Sequence, residues 1–144
     1  KAIEQTSFSA DHCSYPILYL MRHALEVGLK ANIQCMVEEG RQQTKLSLGR
    51  CHNLNELCTE FRQLVEAQGI LEVDSLAFFH VEVQSMGSLI CLMPSVSSFR
   101  YTEERNRSKV FSREMLDISV MKSMFDRAYP ILAYTPAVLY GPGV

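Results

Sequence analysis

The feature that most constrains this chain is the run from Tyr15 to about Glu39. It carries Ile17, Leu18, Leu20, Met21, Ala24, Leu25, Leu29, Ile33, Cys35 and Met36. Wound as a helix, these apolar residues occupy most of the circumference, the pattern of a rod surrounded by other elements rather than one lying on a surface. Ser14 is placed to cap it, with Pro16 in the first turn, where a missing N–H costs little. Gly40 is a candidate C-cap.

Such a rod needs partners, and three further helices are expected. Asn53 followed by Glu56 resembles a capping box, with Asn in place of Ser or Thr. Leu54, Leu57, Cys58, Phe61, Leu64 and Val65 follow at helical spacing until Gly69 stops the run. Asp74 is a candidate cap for a third helix reaching Met93, before Pro94. Ala77, Phe79, Val81 and Val83 alternate as a strand would, but the run is too long for an ordinary strand, so helix is expected. Residues 94–113, rich in Ser, Arg and Asn, read as an irregular excursion with room for a short hairpin. Asp117 then caps a fourth helix whose apolar face is Ile118, Met121, Met124, Phe125 and Ala128. Residues 1–13 read as a polar leader, and residues 135–144 as an apolar tail. The expected architecture is all-α, an up-and-down four-helix bundle in one domain spanning 1–144.

Composition excludes several classes. The net charge is −2, so no global positive field draws the chain to nucleic acid, though a local basic patch remains open. The five cysteines are odd in number and form no CxxC pair, which suits reduced thiols in a cytoplasmic protein better than a disulfide framework. His12–Cys13 and His52–Cys51 are adjacent pairs, but nothing in their spacing requires convergence, so no metal site and no cofactor is expected. The chain starts at Lys1 without Met, which reads as a trimmed N-terminus, and it shows no signal peptide. No uninterrupted apolar stretch of about 20 residues occurs, so no membrane span is expected. The nearest, Tyr129–Val144, is interrupted by Pro130, Pro136 and Pro142.

Against the apolar rod one line of charge stands out. Arg22, Glu26 and Lys30 recur every four residues, and His23 lies three before Glu26. All four share about a quarter of the helix circumference. In one reading this is simply the solvent face, an ion-pair ladder stabilising by about 0.3–0.5 kcal/mol per pair. In the other it lines a cleft, where Glu26 orients Arg22 and Lys30 to hold a phosphate, His23 exchanges protons, and His52 joins from the second helix. Arg100, Arg105, Arg107, Lys109 and Arg113, with Phe99 and Tyr101 among them, form a second basic group. Cations interleaved with aromatics suit a phosphate backbone and a stacked base, although Glu103 and Glu104 reduce the potential.

The segment Tyr15-Pro16-Ile17-Leu18-Tyr19-Leu20-Met21-Arg22-His23-Ala24-Leu25-Glu26, continued by Leu29-Lys30-Ala31, resembles the first long helix of the HEPN-like superfamily of nucleotide-binding helical bundles, in an uncharacterised bacterial branch. His52-Asn53-Leu54 looks like that family's His-Asp-Leu entry to the next helix, Phe99-Arg100-Tyr101 like its Phe-Arg-Tyr, and Asp117 like its acidic opening of the last helix. The resemblance covers about residues 14–129. It implies a bundle that often dimerises and that acts in nucleotide binding, RNA cleavage or defence against foreign nucleic acid. Ribonuclease members carry an Arg, a few polar residues and then a His. Here Arg22 and His23 are adjacent and Arg41 is too far before His52, so no catalytic residue is assigned. Three functions follow as expectations. The first is a module binding nucleotide or RNA through Arg22, His23, Glu26, Lys30, His52, Arg100 and Tyr101. The second is a homodimerising protein–protein adaptor using the apolar tail, and the third a ribonuclease with a rearranged site built on His23 and His52.

Overall fold

The computed structural model describes residues 2–93 and 118–141, and over residues 2–15 the backbone path alone. Four helices make up the bundle: α1 (Ala2–Glu38), α2 (Leu54–Gln68), α3 (Val73–Leu92) and α4 (Ile118–Tyr140). No strand occurs among the described residues. Each of the first three helices packs on the next, and α4 packs on both α3 and α1, closing the ring. This is the expected all-α helical bundle. The expected excursion over residues 94–113 and the Asp117 cap lie outside the described residues.

One core joins all four helices. Leu25, Leu29 and Ile33 of α1, Leu57 and Phe61 of α2, Met86 and Leu89 of α3, and Met121 and Ala128 of α4 are almost wholly buried. Phe61 and Phe79 meet edge to face at 5.5 Å, locking α2 to α3. In α3 the buried residues Phe79, Glu82, Val83, Met86, Leu89 and Ile90 follow helical spacing, so the strand-like alternation of Ala77, Phe79, Val81 and Val83 carries no structural weight.

Several boundaries differ from expectation. The leader is helical, so Ser14 caps nothing and Pro16 lies well inside α1. Once a packed segment has nucleated a helix, each added residue gains a hydrogen bond, and Ala2, Glu4 and Gln5 favour that extension. Gly40 is not the left-handed residue after α1; Arg41 is, at φ 50°. Gly40 is needed for space, because a Cβ there would overlap Gln68 Nε2 and crowd Tyr140 Oη, two groups that hydrogen-bond each other at 2.8 Å. Glu72, not Asp74, is the N-cap of α3, without a side-chain bond, and Asp74 sits in the first turn. Gly69 does close α2 as expected, at φ 63° with its N–H donating to Glu66 O.

The tail is the largest correction. Pro130 and Pro136 do not break the last helix, which runs through both to Tyr140. A helical proline leaves the carbonyl four residues earlier without its donor. Pro136 orphans Leu132 O, and Asn32 Nδ2 of α1 supplies the missing bond at 2.7 Å, while also donating to Gly28 O at 2.8 Å. Gly28 makes room for this approach, since a Cβ there would stand 2.9 Å from Leu132 Cδ1.

α3 is the one described helix long and apolar enough to cross a membrane by length and composition, although Asp74 and Glu82 interrupt its apolar run. About a third of it is buried in the bundle. Its inward face holds Glu82, which accepts from Arg127 Nη2 of α4 at 3.0 Å. A helix with one side in a core passes the same composition test.

Candidate functional site

Arg22, Glu26 and Lys30 of α1 meet His52 at the entry to α2. A turn over residues 47–51, closed by the Arg50 and Cys51 N–H groups on Ser47 O, delivers His52 to the side of α1. Asn53 then caps α2, its Oδ1 accepting from Asn55 N at 3.0 Å. The capping box is modified: Glu56 Oε1 accepts from the Asn53 side chain at 2.7 Å. The α2 N-terminus thus has one N–H taken by its own cap and a carboxylate, Glu56, in its first turn, which disfavours an anion there.

Glu26 is the centre of the cluster. Its Oε1 accepts from Lys30 Nζ at 2.7 Å and meets His52 Nδ1 at 2.8 Å. Burial works to raise the Glu26 carboxyl, but the hydrogen bonds from Lys30 and His52, with their charges, outweigh it and hold the group below its ordinary value. A carboxylate at Nδ1 favours the imidazole tautomer protonated there, leaving Nε2 as the ring's outward polar atom. The His52 side chain is 59% exposed, against 21% for Lys30 and 12% for Glu26. The cluster is thus open on the His52 and Lys30 side and closed beneath.

Arg22 is placed differently from the phosphate-gripping role expected of it. It is 8% exposed and donates from Nη2 to the His52 carbonyl at 2.8 Å. Its Nε is buried with no partner among the described residues. Burial pushes the guanidinium below its ordinary value, opposed by the charge of Glu26, yet it stays charged at neutral pH. Arg22 is the strut that holds the His52 backbone against α1.

His23 is exposed on the same helix, and its ring lies parallel to that of Tyr19, with centroids 6.1 Å apart and planes within 4°. Arg100 and Tyr101, with the rest of the second basic group, lie outside the described residues. Sequence reasoning passed over two neighbours. Tyr19 belongs neither to the apolar list nor to the charged line, and its spacing of four from His23 is the signal that links it to the stripe. Arg50, exposed in the turn two residues before His52, carries no sequence signal that sets it apart from the polar segment around it.

Among the described residues, no three potential ligands cluster to hold a metal. Cys35, Cys51, Cys58 and Cys91 are free thiols. Burial raises Cys58 against a smaller opposing effect of Arg62. Burial also raises Cys35, aided by the charges of Glu39 and Glu38. Neither is an activated nucleophile. A separate groove of about 430 Å³ lies between the start of α3 and the end of α4, walled by Leu71, Phe78, Phe79, Ile131 and Leu139, with Asp74 at its edge.

Comparison with protein-family models, with curated proteins and with solved structures finds no match.

Proposed function

We propose that this chain is a cytoplasmic HEPN-like module that binds nucleotide or RNA through a phosphate, without cleaving it. One observation carries the reading: residues from two distant segments converge around Glu26, with Lys30 and His52 on its carboxylate and Arg22 holding the His52 carbonyl. Lys30 and His52 face the approaching anion. Glu26 fixes both without leaving them mobile, and pre-ordered donors bind more tightly than floppy ones. Arg22 acts through His52 by holding its peptide. The resemblance supports the same residues, because Arg22-His23-Ala24-Leu25-Glu26, Lys30 and His52-Asn53-Leu54 are the stretches that carry it. Arg100 and Tyr101 would add a phosphate contact and a stacked base.

The test is titration of the purified chain with labelled single-stranded RNA and with mononucleotide at two salt concentrations. Binding that strengthens as salt falls, and that weakens in Lys30→Ala and His52→Ala, supports the reading, since phosphate contacts release counterions. Absence of binding at low salt removes it.

A second reading, a protein–protein adaptor that pairs with a second copy, is favoured by the apolar groove. Phe78, Tyr134 and Val138, each more than 60% exposed, project from the two helices that form it. Residues 135–140 of the apolar tail enter this reading as the last turns of α4. Phe78→Ser with Val138→Ser, followed by measurement of mass in solution, tests it; a monomer before and after removes self-association through this face.

A further inference from the structure

We infer that the parallel rings of Tyr19 and His23 form the platform on which the base of a bound nucleotide stacks, beside the phosphate position at Lys30 and His52. The inference rests on the phosphate-binding reading and specifies its ligand as a nucleotide with an unpaired base.

At 100° and 1.5 Å per residue, Tyr19, His23, Glu26 and Lys30 fall within about 60° of one another around α1 and extend over about 16 Å. They make a single rail with two aromatic rings at one end and the charged cluster at the other. Along the axis His23 is about 4.5 Å from Glu26, the residue that holds His52, and about 10.5 Å from Lys30, so a single nucleotide with its base on His23 sets its phosphate at His52, and Lys30 lies further along the rail. The two rings are within 4° of parallel, so a flat ligand on the face of one is aligned with the other. Tyr19 is 41% exposed and His23 is exposed, whereas Arg22, next in sequence to His23, is turned inward. Residues four apart on a helix face meet, so the helix itself sets these two rings against each other and the platform is in place before a ligand arrives. A π-face is also tolerant of base identity, so this platform recognises the presence of an unpaired base rather than a sequence.

Two sources share this chemistry, a free nucleotide and a single-stranded nucleic acid. The experiment separates them. A single-stranded RNA containing 2-aminopurine, the matching mononucleotide, the same RNA with abasic sites, and its duplex are each titrated at low salt. Affinity and 2-aminopurine fluorescence are read for wild type, Tyr19→Phe, Tyr19→Ala and His23→Ala, with thermal melting to confirm folding. The expected result is fluorescence quenching on binding, retained in Tyr19→Phe. Tyr19→Ala should bind about five- to a hundred-fold more weakly, and the abasic strand should show a similar deficit. Quenching by the mononucleotide at concentrations comparable to the strand assigns the site to free nucleotide; quenching by the strand alone assigns it to single-stranded nucleic acid. Equal binding of abasic and base-bearing strands, unaffected by Tyr19→Ala, overturns the platform while leaving the phosphate reading intact. No binding of any probe overturns both.

Discussion

Two junctions fasten α1 to its neighbours, and both use a polar side chain on a distant backbone carbonyl. Arg22 Nη2 reaches His52 O before α2, and Asn32 Nδ2 reaches Leu132 O in α4. They differ in what lies around the bond. At the Asn32 junction everything is internal: Asn32 is 3% exposed, Gly28 abuts Leu132, and the acceptor exists because Pro136 removed its normal donor. At the Arg22 junction the strut is buried, but what it holds is not, and His52 and Lys30 stand at the surface around a carboxylate. The same kind of bond serves architecture alone in one place, and in the other it presents chemistry to solvent. Substitutions at the first junction should therefore change stability and leave ligand binding untouched, whereas those at the second should change both.

The largest effect is expected at the buried junction. Asn32→Ala removes two hydrogen bonds and leaves Leu132 O without a donor in the core, which costs about 2–3 kcal/mol. Urea unfolding measures it, and RNA affinity measured on the folded fraction should be unchanged. If affinity falls as much as stability, the two junctions are not independent. Next comes Arg22→Met, which keeps the apolar stem and loses a charged donor. A loss of about 1–2 kcal/mol is expected, reduced from the usual value for charged hydrogen bonds because a desolvated cation is also removed. Here nucleotide affinity should drop as well, although Arg22 itself is not at the surface, because His52 loses its anchor.

Gly28→Ala should be milder, about 1 kcal/mol in unfolding. The clash with a movable Leu132 side chain is partly offset by the gain in helix propensity. Replacing Leu132 with Val alongside it should recover part of the loss if the clash is its cause. The smallest effect is one of pH. The Glu26 carboxyl is held below its ordinary value in the folded chain, so it takes up fewer protons folded than unfolded in the acid range. Its stabilisation is complete above the ordinary carboxylate range and disappears as pH falls through the lowered folded value. Glu26→Gln should therefore flatten the acid limb of stability against pH, read by urea unfolding from about pH 7 down to pH 3. An acid limb as steep as wild type would mean that Glu26 gains nothing from Lys30 and His52.

How far the site could be read beforehand follows residue by residue. Arg22, Glu26 and Lys30 were visible because a charged line on an apolar rod breaks its own pattern, and their spacing fixes one face. That Arg22 would turn inward was not visible. The 100° rotation per residue places it at the edge of the buried arc, and only the arrival of the His52 carbonyl decides which way it faces. Tyr19 was hidden for the opposite reason. An aromatic ring reads as core by default, and exposure is a property of what packs against it.

The chain's own chemistry determined the helical class, the caps at Asn53 and Gly69, and the apolar stripe of α2, because these depend on near neighbours and on a period of 3.6. Tertiary structure alone decided that α4 continues through Pro130 and Pro136. Local rules end a helix at proline because a carbonyl is left unsatisfied, and the donor for Leu132 O comes from a residue a hundred positions away. It likewise decided that His52 meets Glu26, since nothing within either segment specifies where the turn over residues 47–51 will set it down.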